Sequence, residues 1–325
     1  MEKVKHNTTT IMKRFFTIIT LIICALPLSA QDNITKTTFH YATNDNVELY
    51  LDRYTSAAPS SEPKPAMIFA FGGGFVQGSR DVDYYQPYFR NLAERGIVVV
   101  SIDYRLGLKA LPSNVGIVDM IGYLNNAVNI AVEDMYSATN FLIANAEEWN
   151  IDTSKIMISG SSAGAITALQ AEWFRDKGAE LARMLPEGFR YAGVVSCAGA
   201  LFAIREKPQF SGDAAPMLLF HGTSDRNVPY NKSSIMGIGF YGSKYIVKNL
   251  EKRDGAYLFY SAEYVDHSLA GTPLFEQCDL IMQFIRDDVL EGKRAQTTVE
   301  VESIGAERKP TRFTVKEYLE TNYKR

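Results

Sequence analysis

The chain has 325 residues, of which 46% are hydrophobic, and its formal net charge is −3 at pH 7. That length allows one large domain or two small ones with a sizeable core. The sequence lacks the basic stripe that nucleic-acid binding usually needs. Its slightly negative net charge also provides no attraction to an anionic membrane surface.

The N-terminal residues have the features of a secretory signal peptide. Lys13 and Arg14 precede the apolar run FFTIITLIICALPLSA, and a small residue closes that run before a polar segment. The run is shorter than the roughly 20 residues that a membrane-spanning helix needs. We therefore predict a signal peptide over residues 1–30, export to the periplasm or the extracellular space, and no stable membrane span. A transmembrane anchor and a lipoprotein signal at Cys24 are the alternatives.

Two edge strands are predicted next, over residues 35–56. Val47, Leu49 and Leu51 alternate with polar residues, which is typical of a half-buried strand, and Phe39 lies on the strand before it. The Asn-Asp-Asn stretch between the strands is typical of a hairpin turn.

From residue 66 onwards, short apolar runs alternate with segments of helical periodicity. Each run is continuously apolar, as expected for a strand buried on both faces of a sheet. The predicted strands are 66–71, 97–104, 155–159, 191–200, 216–222 and 256–264. The predicted helices are 83–96, 131–149, 163–176, 241–255 and 272–290. This alternation predicts an α/β fold with a mostly parallel central sheet and helices on both faces, in which catalytic residues lie at the carboxyl ends of strands.

The alternation ends near residue 290. Residues 291–325 contain a strand-like segment, TTVEVES, and a helix-like segment, TVKEYLETNY. We therefore predict a main domain over residues 31–290 and a small C-terminal appendage over 291–325.

Two cysteines, Cys197 and Cys278, remain after removal of the predicted signal. Their spacing does not match a zinc site. Two free thiols are favoured, and one disulfide is the alternative in an oxidising compartment. No metal and no cofactor are expected.

The stretch Gly160-Ser161-Ser162-Ala163-Gly164 contains a candidate nucleophile. It fits the pattern G-x-S-x-G with Ser162 at the centre, between a predicted strand and a predicted helix. That context is the one in which a sharp strand-to-helix turn exposes a serine hydroxyl. A glycine-serine turn without chemistry is the alternative interpretation.

A serine hydroxyl needs a base to accept its proton, and a histidine usually serves. The chain order serine, acid, histidine of this architecture selects His267 as the base. Asp225, just after the strand at 216–222, is the candidate acid that holds the imidazole. Asp266 is a rival, but adjacent side chains are poorly directed towards each other. His221 is interpreted as a brace for the loop that carries Asp225.

The glycine-rich segment FGGGF, residues 71–75, follows the first buried strand. Glycine N–H groups can turn towards a negatively charged oxygen without obstruction by a Cβ atom, and the residue after the nucleophile supplies a further donor. Phosphate binding is the alternative, but neither the GxGxxG spacing nor a P-loop lysine is present.

Together these segments resemble the α/β-hydrolase fold, and specifically bacterial carboxylesterases of the acetyl-esterase and hormone-sensitive-lipase-like kind, including feruloyl and acetylxylan esterases. The resembling stretches are FGGGFVQGSR, GIVVVSIDYRL, IDTSKIMISGSSAGA, HGTSDRNVP and DHSLAG, in family order. The resemblance implies a Ser162–Asp225–His267 triad. It also implies that the oxyanion hole is formed by N–H groups of Gly73, Gly74 and Ala163.

The resemblance also implies structural roles for four further residues. Asp103, Tyr104 and Arg105 match a segment that braces the oxyanion loop, and Asp134 is interpreted as structural. One position departs from the family, since Phe71 stands where such esterases usually carry histidine before the glycines.

Aromatic residues near the glycine-rich segment are the candidates for contact with a substrate. Phe75, Tyr84 and Tyr85 are the candidate substrate-binding residues, and segments 108–126 and 233–243 are predicted to form a partial cap. The predicted activity is hydrolysis of carboxylic esters, with short acyl or aryl esters of carbohydrates as the candidate substrates by family analogy. A prolyl-oligopeptidase-type serine peptidase and a non-catalytic binding protein are the alternatives. The expected partner is a small-molecule or carbohydrate ester, with no prediction of oligomeric state.

Overall fold

The structure, a computed structural model, describes residues 33–112, 115–302 and 307–311, together with Glu317 and Thr321. The predicted signal peptide lies outside these residues. Among the described residues, no helix is both long and apolar enough to cross a membrane.

A nine-stranded sheet forms the centre of the fold. Its strands are β1 (Ile34–Asn44), β2 (Val47–Ser56), β3 (Lys64–Ala70), β4 (Val98–Ile102), β5 (Ile151–Ser161), β6 (Gly193–Cys197), β8 (Met217–Gly222), β11 (Tyr257–Glu263) and β12 (Gln296–Glu302). Their order in the sheet is β1-β2-β4-β3-β5-β6-β8-β11-β12. The β1–β2 and β2–β4 pairs are antiparallel, and the other neighbours are parallel.

The burial of the central strands follows from their composition. Every residue of β4, β6 and β8 is buried, as the continuous apolar runs predict for strands covered on both faces. The predicted hairpin is also present, since β1 and β2 are joined by Asp45 and Asn46, which both have positive φ. Two such residues suit a tight turn between antiparallel strands.

The helices lie between the strands along the chain. They are α1 (Gln86–Glu94), α2 (Ile117–Ala144), α3 (Ala163–Asp176), α4 (Ser243–Glu251), α5 (Pro273–Glu276) and α6 (Cys278–Phe284). Short 3₁₀ helices cover residues 83–85, 180–184 and 267–270, and a π-helical segment covers residues 285–290. Right-handed crossovers that step in opposite directions along the sheet leave helices on opposite faces. The step from β3 to β4 and the step from β4 to β5 run in opposite directions, which places α1 and α2 on opposite faces.

Helix α2 begins earlier than the sequence predicts. The predicted helix starts at residue 131, whereas α2 starts at Ile117 and takes up the second half of segment 108–126. Met120, Leu124 and Val128 are buried, so the apolar stripe of the helix continues towards its N-terminus. None of the described residues of 108–126 lines the cavity around Ser162, so the structure does not support the prediction that this segment caps the site.

The other predicted cap segment, 233–243, forms part of a small second sheet. Strands β7 (Ala200–Ala203), β9 (Lys232–Ile235) and β10 (Ile238–Gly242) pair antiparallel in the order β7-β10-β9. Phe240 on β10 lines the cavity around Ser162.

The C-terminal part of the chain is joined to the central sheet. Strand β12 pairs parallel with β11 from Tyr257 opposite Gln296 to Glu263 opposite Glu302. The predicted boundary at residue 290 therefore does not separate an appendage from the sheet. The sequence missed this because β12 is mostly exposed and lacks the apolar run of a central strand.

Candidate active site

Ser162 lies at a sharp turn between β5 and α3. Its backbone has φ 51° and ψ −114°, a conformation that is costly for a residue with a Cβ and is typical of functional sites. The flanking glycines allow this turn. A Cβ on Gly160 would lie 2.2 Å from the carbonyl carbon of Gly164, and a Cβ on Gly164 would lie 2.0 Å from the Ala70 carbonyl oxygen.

Three side chains from three loops form one hydrogen-bonded chain. Oγ of Ser162 lies 2.8 Å from Nε2 of His267, and Nδ1 of His267 lies 2.7 Å from Oδ2 of Asp225. An ionised carboxylate only accepts hydrogen bonds, so Nδ1 carries the proton and Nε2 is free to accept one from Ser162. Asp225 follows β8 and His267 follows β11, which places all three residues at the carboxyl ends of strands.

The carboxylate of Asp225 is buried and has several donors around it. Its Oδ1 accepts hydrogen bonds from the N–H groups of Asn227 and Val228 at 2.8 and 2.9 Å. Burial disfavours ionisation of this carboxyl, but hydrogen bonds from His221 and His267 outweigh burial and hold the pKa of Asp225 well below its usual range. The carboxylate of Asp225 is therefore negatively charged at neutral pH.

The glycine-rich loop and the start of α3 provide unused backbone donors. Among the described residues, the N–H groups of Gly73, Gly74 and Ala163 have no hydrogen-bond acceptor, and all three residues line the cavity that contains Ser162. Gly73 has φ 133°, and a Cβ there would lie 1.9 Å from the Gln77 carbonyl oxygen. This geometry can stabilise an oxyanion next to the Ser162 hydroxyl.

Aromatic side chains hold the glycine-rich loop in place. The Tyr104 hydroxyl donates to the carbonyl of Phe71 at 2.8 Å, and the two rings stack with centroids 4.5 Å apart. The N–H of Gly72 donates to the hydroxyl of Tyr85 at 3.3 Å. Phe71 thus supports the loop by ring stacking at the position where the family usually has histidine.

Behind this loop, Arg105 is anchored by acidic residues. Its guanidinium contacts Asp134, Glu133 and Asp45, and its N–H donates to Asp134 at 2.7 Å. Asp103 accepts from Arg80 at 2.6 Å. These contacts place the Asp103–Arg105 segment and Asp134 in supporting positions, away from the reacting atoms.

The cavity around Ser162 has a volume of about 520 Å³. It is lined by Gly72, Gly73, Gly74, Phe75, Val76, Gln77, Tyr85, Ser161, Ser162, Ala163, Ile166, Asn227, Val228, Phe240, His267, Ala270 and Thr321. A second cavity of about 670 Å³ lies near β11 and β12, and it contains none of the three triad residues.

Two of the three predicted substrate-binding residues, Phe75 and Tyr85, line the catalytic cavity. Tyr84 does not, since its ring is about half exposed and packs edge-on against Phe275. The prediction for Tyr84 is corrected accordingly. Neighbouring residues in the turn at 83–85 point in different directions, which the shared tyrosine identity could not indicate.

Several lining residues were missed by the sequence. Phe240, Ala270 and Thr321 come from segments far apart in the chain. Their approach depends on contacts between distant segments, and no local motif signals it.

The comparisons with known proteins agree with this geometry. The BD-FAE family model matches residues 51–184, which include the glycine-rich loop and Ser162. Esterase 2 of Thermogutta terrifontis, in its form phosphoramylated by tabun, aligns with a TM-score of 0.60 and 22% identity over 78% of this chain and 94% of that chain. The chain has the α/β-hydrolase fold. The same esterase in its propionate-bound form aligns with this chain at a TM-score of 0.58 and 22% identity, over the same shares of the two chains.

Relatives of this chain include esterases that share one segment with it. Acetylcholinesterase of Gallus gallus is 33% identical over 117 residues, which are 36% of this chain and 14% of that protein. Fumonisin B1 esterase of Sphingopyxis macrogoltabida is 32% identical over 119 residues, which are 36% of this chain and 21% of that protein. The chain therefore spans about a fifth or less of the length of these relatives. These similarities confirm the predicted resemblance to carboxylesterases.

Proposed function

We propose that this α/β-hydrolase hydrolyses carboxylic esters through an acyl-enzyme on Ser162. The observation that carries the proposal is the continuous hydrogen-bonded chain from Ser162 through His267 to Asp225. Unused N–H donors beside the same hydroxyl supply the second requirement of acyl transfer, which is a site for the developing negative charge.

In the first half of the reaction, the Ser162 hydroxyl attacks the ester carbonyl carbon while Nε2 of His267 takes its proton. The carbonyl oxygen becomes an oxyanion that accepts hydrogen bonds from the N–H groups of Gly73, Gly74 and Ala163. His267 then gives the proton to the departing alcohol, and the acyl group stays on Ser162. The Asp225 carboxylate stabilises the imidazolium that forms between these steps.

In the second half, water replaces the alcohol. His267 accepts a proton from the water as its oxygen attacks the acyl carbon, and the same oxyanion site stabilises the intermediate. When the bond to Ser162 breaks, His267 returns the proton to the serine oxygen and the carboxylic acid leaves. The residues of this chain therefore supply every proton acceptor and donor that the reaction uses.

The cavity favours small esters with both apolar and polar groups. Its volume of about 520 Å³ lies within the range of about 300–1,000 Å³ typical of small-molecule sites. Phe75, Ile166 and Phe240 provide apolar surface, whereas Gln77 and Asn227 provide polar groups. This mixture suits a short acyl or aryl group esterified to a hydroxylated alcohol such as a carbohydrate, encountered outside the cytoplasm after export.

The proposal is tested with a panel of p-nitrophenyl esters of increasing acyl length, together with acetylated xylan. We expect turnover of short esters, and we expect Ser162→Ala to lower kcat by about 10⁴- to 10⁶-fold. Ser154→Ala is the matched control, since Ser154 is an exposed serine that bonds to Asp152. Ester turnover that survives in Ser162→Ala would refute the proposal.

A further inference from the structure

The described residues that follow β12 contact loops at the carboxyl ends of the central strands. They are 307–311, Glu317 and Thr321, and we refer to them as the C-terminal segment. We propose that the C-terminal segment is a positioning and specificity element that links the loop carrying Asp225 to the loop carrying His267 and closes one side of the substrate cavity. The part that concerns the substrate rests on the proposed ester hydrolysis.

The first contacts are with the loop that carries the catalytic acid. Oγ of Ser224 donates to the carbonyl oxygen of Lys309 at 3.2 Å. The guanidinium of Arg226 donates to the carboxylate of Glu317 at 3.3 Å. Ser224 and Arg226 are the two sequence neighbours of Asp225, so the C-terminal segment contacts the acid loop on both sides of the catalytic carboxylate.

The second contacts are with the loop that carries the catalytic histidine. Nζ of Lys309 lies 3.0 Å from Oδ2 of Asp266, and the Arg308 guanidinium lies 6.0 Å from the centre of the Tyr264 ring. Asp266 directly precedes His267, and its Oδ1 accepts from the N–H of Ser268 at 3.1 Å. The ion pair therefore fixes a carboxylate that caps the turn containing the catalytic base.

Lys309 joins the two loops by itself. Its carbonyl oxygen accepts from the acid loop and its ammonium group pairs with the histidine loop. The loops also contact each other directly, since the N–H of Ser224 donates to the carbonyl of Val265 at 3.0 Å. The C-terminal segment thus adds a second layer of contacts outside the one that already aligns the triad.

Strand β12, which precedes the C-terminal segment, ends beside the loop that carries His267. Strand β12 runs parallel to β11 and ends with Glu302 opposite Glu263, at the point where the histidine loop begins. Further along, Thr321 lines the same cavity as Ser162 and His267. A residue at that place limits the size of the group that the cavity accepts.

The contacts are individually weak because their charged groups are partly in water. Lys309 and Asp266 are about half exposed as side chains, at 46% and 51%, and Arg226 and Glu317 are similar at 34% and 45%. Exposed ion pairs of this kind contribute little to stability and are screened by salt. The segment should therefore affect the placement of the loops and the choice of substrate more than it affects global unfolding.

The test removes the segment while keeping β12, in a chain that ends at Ser303. Hydrogen exchange should become about ten-fold faster at backbone amides of residues 223–228 and 264–268, because a local opening becomes easier, and it should stay unchanged in β1 and β2. Ester assays should show kcat for p-nitrophenyl acetate falling by about ten-fold, since small misplacements of catalytic groups are costly. The preference for long-chain over acetyl esters should rise.

Point variants cover the case in which the shortened chain fails to fold. The double variant Lys309→Ala/Glu317→Ala in the full-length chain should show the same faster exchange in both loops, with a smaller effect. Lys293→Ala is the matched control, since this lysine pairs with Asp287 and Glu291 on the surface. A chain ending at Thr321 keeps every described contact and should behave as the full-length chain.

The two readouts separate this inference from the proposed function. Unchanged exchange in both loops of the double variant, with unchanged ester preference, would overturn the inference. Absence of ester turnover in the full-length chain would count against the proposed function, while the exchange measurement would still decide whether the C-terminal segment holds the loops.

Discussion

Nε2 of His221 lies 3.4 Å from Oδ2 of Asp225 and 3.1 Å from the carbonyl oxygen of Val228. The other ring nitrogen, Nδ1, lies 2.8 Å from Oγ of Ser243, which donates to it. His221 is fully buried. Asp225 therefore lies between two histidines, His267, which also bonds to Ser162, and His221, which fixes the loop carrying Asp225 to the start of α4.

We expect His221→Ala to impair both folding stability and catalysis. The substitution leaves a cavity and two buried polar groups without partners, which should lower the free energy of unfolding by about 2–4 kcal/mol. Looser placement of Asp225 should lower kcat by about ten-fold with little change in KM. Urea unfolding and ester kinetics on the same preparation measure the two effects. A variant of unchanged stability and kcat would contradict the bracing role.

Asp225→Asn should remove most activity while leaving the fold intact. The wrong imidazole tautomer would then face Ser162, and a loss of about 10⁴-fold in kcat is expected from the same change in other triads. Steady-state kinetics measure it, with Asp213→Asn as the control because Asp213 is exposed and does not line the cavity. Retention of more than a tenth of the activity would contradict the assignment of the acid.

The low pKa of Asp225 also predicts how stability depends on pH. A carboxyl whose pKa is lower in the folded state than the unfolded value of about 3.9 contributes stability above that value and loses it as the pH falls towards the folded pKa. The stability that the Asp225 carboxylate contributes, measured as the difference in unfolding free energy between wild type and Asp225→Asn, should therefore shrink as the pH falls below about pH 4. Denaturant titrations from about pH 5 to about pH 2 measure it, and a difference that stays the same across that range would contradict the prediction.

Alanine substitutions at two helical glycines, Gly164 and Gly122, should change the stability of the protein in opposite directions. Gly164→Ala places a Cβ 2.0 Å from the Ala70 carbonyl oxygen, so the nucleophile turn must shift, and we expect loss of soluble folded protein or of more than about 3 kcal/mol of stability. Gly122 lies within α2, and a Cβ added there would meet no atom of the described residues within 4 Å. Gly122→Ala should stabilise by about 0.5–1 kcal/mol. Thermal unfolding of the two variants compares them, and equal effects would contradict the packing described for the turn.

Cys197 and Cys278 should differ in their reactivity towards thiol reagents. Both are free, and burial raises the pKa of the Cys197 thiol far above the usual range and raises that of the partly exposed Cys278 to a smaller extent. Since the thiolate is the reactive form, a thiol reagent should modify Cys278 slowly in the native protein and Cys197 only after unfolding. Mass spectrometry of the modified peptides checks this, and native labelling of Cys197 would be inconsistent with the packing of β6.

The sequence predicted the central sheet and the turn around Ser162 because both depend on local patterns. Buried strands carry continuous apolar runs, and the turn requires glycines at fixed positions. The choice of His267 and Asp225 rested instead on the order of residues far apart in the chain, and the structure joins both to Ser162 by hydrogen bonds.

The features that the sequence did not predict depend on contacts between distant segments. The strand-like segment TTVEVES was predicted, but its pairing with β11 was not, because the composition of an exposed edge strand does not identify its partner. Tyr84 faces Phe275, a neighbour far along the chain, and Thr321 lines the same cavity as Ser162, which lies much earlier in the chain. Such positions become visible only once the chain is folded.

The most direct test of the central claim is to locate the covalent adduct that a fluorophosphonate or paraoxon forms with the purified protein. These reagents need a serine activated by a neighbouring base. Peptide mass spectrometry should find one adduct per chain, on Ser162, in wild type and in Ser161→Ala, with labelling slowed strongly in variants of His267. An adduct on another residue, or an unlabelled Ser162 in folded protein, would contradict the account.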